Sequence, residues 1–576
     1  MTNTQIADVF DQVGELLEFQ GANQFRVRAY RNAARTIRDY PEPLAALAGE
    51  GQSKVCELPG IGEDLSKKVC TLVETGQLPQ LLELQAQVPA SVLALLRIPG
   101  LGPKKAAALH KELGIQSLDE LKAACEAGKV RGLKGFGEKT EKTILAGIGS
   151  AAAAGLRILW SEADEVARDV GLHMRGTPGL REMEWGGSFR RGRDTVGDLD
   201  LLVVADNPSA AMDRFGAFPR VKEVIARGDT KMSVRLDTGL QLDLRTVPAE
   251  SFGAALQYFT GSKDHNVILR GLAKSRGLKI NEYGLFRVEG DTETFVVGRT
   301  EKEIYEALDL PLFPPEMREA RQEFDWAAAG KLPKLIEEKD IRGDLHMHTK
   351  ASDGRGTIAD MVASARQRGL QYIAITDHSK RVSMANGLDG ARLREQWKEI
   401  DRLNQELGDE FHLLKGVECD ILEKGGMDLP DDVLAEADWV LASVHYGQTQ
   451  TREQITERML QAIEHPSVTA IAHPTGRLLN RREPYAVDME AVMKAALKHG
   501  KLLELNANPW RLDLNDVACA AAKKLGIPLV IDTDAHSPDQ LSYIRYGILQ
   551  ARRGGLTKED VANTRTWPQL KKLLKR

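Results

Sequence analysis

The sequence predicts a multidomain protein with an all-α N-terminal part, an α+β middle part and a C-terminal α/β domain that forms a distorted seven-stranded βα barrel. Three observations support this prediction. The chain has 576 residues, which is too many for one hydrophobic core. A glycine-containing turn followed by an amphipathic helix occurs three times before residue 150. After residue 340, seven short apolar runs alternate with helical stretches, as in a parallel sheet.

The composition excludes several classes of protein. Hydrophobic residues make up 42% of the chain, yet no apolar run approaches the roughly twenty residues of a membrane helix. The first residues show no basic segment followed by an apolar one, so we expect no export signal and a cytoplasmic protein. Five cysteines form no Cys-x-x-Cys pair, which argues against a cysteine zinc site. With a net charge of −5, nucleic acid would have to be bound by local basic groups or by the backbone.

The three repeated turns lie at 58–69 (LPGIGEDLSKKV), 98–109 (IPGLGPKKAAAL) and 133–144 (LKGFGEKTEKTI). Each has Gly-x-Gly before a lysine-bearing helix, whose free N–H groups favour an anion. A single copy could equally be a tight connection, but three matching copies predict contacts to phosphates without base reading. They resemble helix-hairpin-helix motifs, which implies non-specific DNA binding. The glycines concerned are Gly60, Gly62, Gly100, Gly102, Gly135 and Gly137.

A strand pattern with paired carboxylates follows the repeats. Asp198 and Asp200 are two positions apart at the head of an apolar run, so they share one face of a strand, and Asp243 lies in a later hairpin. Three converging carboxylates repel one another unless they bind divalent cations, and two Mg²⁺ ions about 4 Å apart serve phosphoryl transfer. Ordinary strand-end aspartates are the alternative. Gly187 and Ser188 just upstream, with a turn N–H and a hydroxyl for a triphosphate, favour the catalytic reading.

These motifs, with the segment YFTGSKDHNVILR at 258–270, resemble the family X DNA polymerases, the group that contains polymerase beta. The resemblance covers residues 1 to about 320. It implies that the three aspartates hold two Mg²⁺ or Mn²⁺ ions, and that a primer 3′-hydroxyl on gapped or primer–template DNA attacks the α-phosphate of a dNTP. The implied substrate-binding residues are Gly187, Ser188, Arg191, Tyr258, Phe259, Gly261, Asn266 and Arg270.

Three positions depart from that family's pattern. Gln241 stands where polymerase beta has an arginine that orients the third carboxylate, so the alignment of Asp243 and the turnover are expected to differ. Lys263 replaces an acidic residue near the nucleotide. Lys68 matches the nucleophile of the family's 5′-deoxyribose-phosphate lyase, but Asp64 replaces a nearby lysine. Because an acidic neighbour raises the pKa of a lysine, both a lyase role and simple phosphate binding stay open.

Histidines dominate the last part of the chain, with nine of the twelve after residue 340. Six of them and three carboxylates fall at or just after the C-terminal ends of predicted strands, the face on which βα barrels have their active sites. Such a mixed set suits Mn²⁺, Zn²⁺ or Fe²⁺ and would activate water to attack a phosphorus. The nine residues are His346, His348, Asp353, His378, Glu418, His445, His473, Asp534 and His536.

The order HxH, TDH, E, H, HP and DxH resembles the PHP domain, the polymerase and histidinol phosphatase fold. The resemblance implies three ions, with Glu418 as a bridging ligand. The implied sets are His346, His348, Glu418 and Asp534 for one ion, Glu418, His445 and His473 for a second, and Asp353, His378 and His536 for a third. Both parts together resemble the bacterial PolX family nearly end to end. This implies a repair polymerase with manganese-dependent 3′–5′ exonuclease and 3′-end cleaning, and leaves abasic-site endonuclease activity open.

The predicted organisation leaves some alternatives. The barrel could instead hydrolyse small phosphate monoesters, or the N-terminal half could be a DNA-binding module that only delivers a nuclease. We expect a monomer, and two separate sites imply a hinge near 320–340 or dissociation and rebinding of DNA. The predicted domains are 1–85 (helical DNA-binding), 86–150 (helix-hairpin-helix, fingers-like), 151–250 (nucleotidyltransferase palm), 251–320 (thumb), 321–340 (linker) and 341–576 (PHP).

Overall fold

The computed structural model describes residues 3–40, 44–87, 101, 103–115, 117–133, 136–137, 140–141, 144–145 and 157–574. The chain divides into two compact units. The first comprises residues 1–157 with 235–240, and the second comprises 158–234 with 241–576.

The described part of residues 1–157 is helical, as predicted. Asn23 begins the second helix by accepting a hydrogen bond from the Phe25 N–H, and Gly76, with a φ of 70°, ends the fifth. The helices are α1 (Asn3–Phe19), α2 (Gln24–Asp39), α3 (Leu44–Glu50), α4 (Gln52–Cys56), α5 (Glu63–Thr75), α6 (Pro79–Gln87), α7 (Pro103–Leu113) and α8 (Leu118–Glu126), followed by a 3₁₀ turn at Val130–Gly132.

All three repeats contribute the residue between their two glycines to one hydrophobic core. Ile61, Leu101 and Phe136 are buried together there. In the first repeat, Gly60 has a φ of 78° and Gly62 directly precedes α5, so the predicted turn and helix are both present. Three of the six predicted DNA-binding glycines lie outside the described residues, namely Gly100, Gly102 and Gly135.

The predicted palm contains a five-stranded sheet in the order β2-β4-β7-β6-β5. Its strands are β2 (Leu180–Trp185), β4 (Asp198–Ala205), β5 (Val221–Arg227), β6 (Lys231–Leu236) and β7 (Gln241–Thr246), and β1 (Ile158–Leu159) pairs separately with β3 (Thr195–Val196). The helices are α9 (Trp160–Met174), α10 (Gly187–Arg190) and α11 (Pro208–Gly216). Strands β4 and β7 are adjacent and parallel, which fixes the positions of the predicted catalytic aspartates.

The predicted thumb contains helices on a small antiparallel sheet of order β10-β9-β8. Ser262 and Thr300 cap the starts of two of these helices through their hydroxyl groups. The elements are α12 (Phe252–Thr260), α13 (Lys263–Ser275), β8 (Leu278–Asn281), β9 (Gly284–Glu289), β10 (Thr292–Val297) and α14 (Glu301–Glu306). Helix α15 (Glu323–Ala328) follows.

The C-terminal domain has the predicted seven parallel strands in sequential order, and a bridge between Met347 and Ala535 links the first and last strand ends in a nearly closed barrel. Alternate strand residues enter two different cores, as Tyr372 and Ile373 do. The strands are β11 (Gly343–Asp344), β12 (Tyr372–Ile375), β13 (His412–Asp420), β14 (Trp439–Ser443), β15 (Ala470–Ile471), β16 (Leu502–Asn506) and β17 (Leu529–Asp532).

Helices separate these strands and continue beyond the last one. They are α16 (Ile358–Gln367), α17 (Gly390–Leu407), α18 (Asp431–Glu436), α19 (Arg452–Glu464), α20 (Met489–His499), α21 (Asp516–Leu525), α22 (Ile544–Arg553) and α23 (Trp567–Leu574).

The segment 321–340, predicted as a helix and a polar linker, is attached to the barrel. Ile336 is completely buried in the barrel core, and its N–H donates to the Leu556 carbonyl. Leu335 beside it is also buried, and the polar composition of the segment concealed these apolar contacts. The middle of the segment is therefore not a free tether.

Candidate active sites

The three aspartates of the predicted polymerase site lie on two neighbouring strands. Asp198 and Asp200 are in β4, and Asp200 is the direct cross-strand partner of Asp243 in the parallel strand β7. Leu199 and Leu201, which alternate with the aspartates, are completely buried. The two-residue alternation and the register therefore bring the three carboxylates to one region of the sheet.

These carboxylates repel one another. Burial, followed by repulsion from Asp198 and Asp243, raises the pKa of Asp200 to about 7. A divalent cation relieves this repulsion, so the donor set fits the two ions that the resemblance implies.

Two side chains hold Asp243 from its other side. Gln241 Nε2 donates to Asp243 Oδ1 at 3.2 Å, and Lys231 Nζ lies 2.9 Å from Asp243 Oδ2. Gln241 was predicted to change the alignment of Asp243, whereas Lys231, which brings a positive charge to this carboxylate, was not predicted from the sequence. The neighbouring position of β6 and β7 in the sheet was the available signal.

The predicted triphosphate-binding turn lies against the aspartates. Gly187 has a φ of 64°, and a Cβ there would stand 2.7 Å from Asp200 Oδ2, so only glycine allows this approach. Ser188 follows in the one-turn helix α10, and its side chain is half-buried. The close approach places the turn beside the carboxylates, as a triphosphate-binding role requires.

Arg191, just after this turn, is held by residues of the predicted thumb. Its Nε lies 3.1 Å from Glu319 Oε1, and its Nη1 donates to the Thr260 carbonyl at 2.5 Å. A Cβ on Gly261 would lie 3.2 Å from Arg191 Nη1. The structure thus brings together two predicted substrate-binding residues, Arg191 and Gly261, that are 70 positions apart in the sequence.

The remaining predicted substrate-binding residues cluster at the end of α12 and the start of α13. Tyr258 and Phe259 stack edge to face with centroids 5.1 Å apart. Asn266 donates to the Tyr258 carbonyl at 2.8 Å and accepts from Gln257, and Arg270 is exposed one helical turn later. Asn266 is therefore fixed, and Arg270 is accessible to a ligand.

Lys68, the candidate lyase residue, lies in α5 and forms an ion pair with Asp64. Burial alone would lower the pKa of Lys68, but hydrogen bonds to Asp64 and Tyr30 outweigh it and raise that pKa. A Schiff-base nucleophile needs the opposite shift. The geometry favours phosphate binding, and the lyase role stays an untested prediction.

In the barrel, five of the predicted histidine ligands lie close to Glu418, and Asp353, Asp534 and His536 contact members of this group. Its Oε1 lies 2.9 Å from His473 Nε2 and 3.4 Å from His445 Nε2, whereas its Oε2 lies 3.4 Å from His346 Nε2. Asp534 Oδ1 is 3.2 Å from His348 Nε2. Each Glu418 oxygen therefore faces the histidines of a different implied ion, as the bridging role requires.

Within the described residues, the ligand atoms converge in three sets. The sets are His348, Asp353, His378 and His536; His346, His348 and Asp534; and His378, Glu418 and His445. They differ from the implied sets in four respects. Glu418 is not in the set of His346, and His473 is in none of the three sets, although it lies 2.9 Å from Glu418 Oε1. His348 also joins the Asp353 group, and His378 approaches Glu418 at 2.9 Å and joins its group. The imidazoles of His348 and His378 stack with centroids 4.4 Å apart, which explains this sharing.

The neutral ring of His348 and two unsatisfied nitrogen atoms fit a bound metal ion. Nearby carboxylates outweigh burial and raise the pKa values of His346, His378 and His536, so these rings release a proton when they coordinate an ion. Histidine neighbours outweigh burial and hold the pKa values of Glu418 and Asp534 well below their usual range. Burial lowers the pKa of His348 to about 4, which leaves a neutral ring for coordination. In the described part of the chain, the buried His346 Nε2 and His348 Nδ1 have no hydrogen-bond partner. A cation would satisfy both atoms.

Carboxylates behind the ligands fix their orientation. Glu504 Oε1 lies 2.5 Å from His346 Nδ1, and Asp420 Oδ1 lies 3.1 Å from His445 Nδ1. This leaves Nε2 of each ring for the metal. Asp377 of the TDH motif accepts bonds from the Thr349 N–H and hydroxyl, so it braces the loop and is not among the convergent ligands. The sequence analysis missed Glu504 and Asp420, although both lie on predicted strands.

Comparison with known proteins finds four matching regions of the chain. Residues 1–78 match the helix-hairpin-helix domain, 92–150 the SAM-like helix-hairpin-helix tandem, 255–319 the DNA polymerase beta thumb and 344–508 the PHP domain. The DNA polymerase/3′-5′ exonuclease PolX of Bacillus subtilis (strain 168) is 40% identical over 579 aligned residues, which span 100% of both chains. The chain belongs to the PolX family.

Other relatives share only one half of this PolX family member. DNA polymerase lambda of Rattus norvegicus is 27% identical over 55% of the chain and 56% of its own length. A probable phosphatase of Thermoanaerobacter sp. (strain X514) is 28% identical over 38% of the chain and 89% of its own length. No helix among the described residues is long and apolar enough to cross a membrane.

Proposed function

We propose that this PolX family member is a DNA repair polymerase that fills short gaps by template-directed nucleotidyl transfer and removes 3′-terminal nucleotides in a separate 3′–5′ exonuclease site. The observation that carries the proposal is the coexistence of two ligand sets in one chain. Three mutually repelling aspartates lie beside a glycine turn, and six histidines and three carboxylates, Glu418 among them, form a cluster in the barrel. The first set suits nucleotidyl transfer, and the second suits hydrolysis.

In the polymerase site, Asp198, Asp200 and Asp243 would hold two Mg²⁺ or Mn²⁺ ions, which supply activation of the primer 3′-hydroxyl and neutralisation of the leaving pyrophosphate. Gly187 allows the turn before Ser188 to approach Asp200, so a triphosphate bound by this turn lies beside the carboxylates. Gln241 and Lys231 hold Asp243 in place. Preorganisation of these groups reduces the reorganisation needed during transfer.

In the barrel site, the nine ligands would hold up to three Mn²⁺, Zn²⁺ or Fe²⁺ ions, which supply an activated water for phosphodiester hydrolysis. Glu418 separates two groups of histidines by directing one oxygen toward each. Glu504 and Asp420 hold the rings of His346 and His445 through Nδ1.

We further propose that the protein is a cytoplasmic monomer, and that its substrates are dNTPs and gapped or primer–template DNA.

The deciding experiment is a time course on one gapped duplex labelled at the primer 5′ end, in Mn²⁺, with and without dNTPs. Extension with dNTPs and stepwise shortening of the 3′ end without them are expected. Absence of extension would contradict the polymerase assignment, and would favour the reading in which the N-terminal half only binds DNA. Extension without shortening would contradict the exonuclease assignment.

A second candidate function for the barrel is hydrolysis of small phosphate monoesters. The probable phosphatases that match about a third of the chain favour it. The discriminating measurement compares p-nitrophenyl phosphate with a labelled DNA 3′ end in the same Mn²⁺ buffer. Faster turnover of the small ester would make the barrel a phosphatase.

Two further activities have their own tests. Cleavage of the same labelled duplex at an abasic site would show endonuclease activity. Trapping of a covalent DNA adduct on Lys68 with borohydride would show lyase activity.

A further inference from the structure

Helix α22 of the barrel domain reaches the nucleotide-binding region of the predicted polymerase. Its last residue, Arg553, has a side chain only 2% exposed. Arg553 Nη1 donates to the Arg191 carbonyl at 2.8 Å and to Glu319 Oε1 at 2.9 Å, while Nη2 donates to Asp516 Oδ2 at 2.7 Å. One guanidinium from the hydrolytic domain therefore contacts the predicted palm, the predicted thumb and Asp516 at the start of the neighbouring helix α21.

The contacts form a buried series of alternating charges. Glu319 is shared by Arg553 and Arg191, with Arg193 at 3.9 Å, and Asp516 is shared by Arg553 and Arg321. Although burial raises it, Arg553 and then Arg191 lower the pKa of Glu319 to about 2, so this carboxylate is ionised. Removal of one member would leave a buried charge without its partner.

This series ends at Arg191, which the resemblance implies as a substrate-binding residue and which follows the predicted triphosphate turn at Gly187 and Ser188. Arg191 is held at its carbonyl by Arg553, at Nε by Glu319 and at Nη1 by the Thr260 carbonyl, next to Gly261. Glu319 is shared with Arg193 and Arg553, so its single negative charge does not fully compensate the positive charge of Arg191. Burial and the nearby Arg553 and Arg193 lower the pKa of Arg191, so an added anion would be favourable at this position.

We propose that Arg553 is a positioning residue for nucleotidyl transfer, which fixes the backbone and guanidinium of Arg191 so that the polymerase site binds the triphosphate of the incoming nucleotide. The hydrolytic domain then completes the nucleotide site of the polymerase. The proposal rests on the proposed polymerase function. A dNTP is the ligand concerned, because the Arg191 N–H donates to the carbonyl of Gly187 in the predicted triphosphate turn and Arg191 Nη1 lies against Gly261, another implied substrate-binding residue.

The neighbouring Arg552 supplies a matched control. Arg552 Nε lies 2.7 Å from Glu316 Oε1, so it also joins the barrel to the thumb from the same helix, but its own hydrogen bonds go to Glu316 and to the Ile336 carbonyl. Loss of Arg552 would weaken the domain contact without releasing Arg191. A role of Arg553 in nucleotide binding can therefore be separated from general adhesion between the domains.

The test is a double-mutant cycle in the full-length chain. Primer extension on a gapped duplex is measured as a function of dNTP concentration for wild type, Arg553→Ala, Arg191→Ala and the double variant, with Arg552→Ala as control. We expect Arg553→Ala to raise the KM for dNTP about tenfold, the scale of one charge-assisted hydrogen bond, with a smaller change in kcat. In the Arg191→Ala background the same change should add nothing. Arg553→Lys should recover part of the affinity.

Each outcome has a separate meaning. If the wild-type chain does not extend the primer, the proposed polymerase function is itself wrong. Extension with additive effects of Arg553→Ala and Arg191→Ala, or an equal rise in KM for Arg552→Ala, would overturn the positioning role alone. Exonuclease activity and thermal melting report whether the barrel is intact. If Arg553→Ala melts early, the cycle is run with Arg553→Lys, and additivity there would equally overturn the proposal.

Discussion

The two candidate active sites achieve opposite electrostatic states. At the polymerase site, three carboxylates face one another, and Asp200 has its pKa raised to about 7 by burial and by the other two. In the barrel, imidazoles interleave with carboxylates, so Glu418 and Asp534 have pKa values far below their usual range. The barrel site is neutralised by its own residues, whereas the polymerase site depends on cations from outside.

This difference teaches how each site would be used. A buried site such as that around His346 and His348, in which Glu504 orients the His346 ring, is suited to hold its ions between turnovers. A repelling, half-open site, in which Asp198 is exposed, is suited to take up ions together with the charged triphosphate.

The largest effect is expected from removing the polymerase carboxylates. Asp198→Ala with Asp200→Ala should lower primer extension by about 10³-fold or more, since bound ions supply several kcal/mol of transition-state stabilisation. Exonuclease activity on the same duplex should stay within about twofold of wild type. Asp206→Ala, an exposed aspartate just beyond the other end of β4, is the control. Unchanged extension in the double variant would sink the polymerase assignment.

The converse variants act on the barrel. His346→Ala and Asp534→Ala should each lower 3′–5′ hydrolysis by about 10²-fold or more while primer extension is retained, because the ligands serve only the hydrolytic ions. Bound metal, measured by elemental analysis, should fall in parallel. Loss of extension in these variants would mean that the two sites are coupled through more than the Arg553 contacts.

A smaller effect, on metal affinity, is expected from changing Glu504, which orients the predicted ligand His346. Glu504→Gln keeps the shape of the side chain but weakens its hold on His346 Nδ1, and such changes lower metal affinity by about 10–100-fold. The measurement is the metal retained after dialysis against graded chelator. Glu453→Gln, on the exposed start of α19, serves as control. Equal retention in both variants would show that Glu504 does not orient the ring.

The smallest effect concerns the stability of the metal-free protein. Because the folded-state pKa of Asp200 is raised to about 7, its ionised form costs stability above pH 7, and this cost disappears as the pH falls toward the unfolded value of about 4. Asp200→Asn should therefore raise the Tm by about 3 °C at pH 8 in EDTA, with the gain shrinking toward pH 4. Added Mg²⁺ should narrow the difference at pH 8. A pH-independent gain would refute carboxylate repulsion as the cause.

The contacts of the thumb with the barrel also bear on how DNA moves between the sites. A hinge near 320–340 was one expectation, but Glu316, Glu319 and Arg321 are each ion-paired to the barrel domain. Ile336 is buried in its core. Opening a hinge there would expose several buried charges, so the structure favours dissociation and rebinding of DNA.

The sequence by itself determined the fold classes, the seven parallel strands, the aspartates and the histidine set. Each of these depends on local spacing, such as the two-residue alternation of Asp198 and Asp200 or the position of His346 and His348 after a strand. These patterns can be read from the sequence because the side chains of alternate residues in a strand point to the same face. The same reasoning found the helix-hairpin-helix repeats from their glycine turns.

Only the tertiary structure decided which distant groups support those residues. Glu504 meets His346 across 158 positions, and Arg553 meets Arg191 across 362. Lys231 reaches Asp243 only because β6 lies beside β7 in the sheet. A lone carboxylate or arginine in a sequence carries no sign of its partner, since burial and pairing depend on how separate elements pack. The reactive groups were therefore visible in the sequence, while the groups that hold them became visible only in the folded chain.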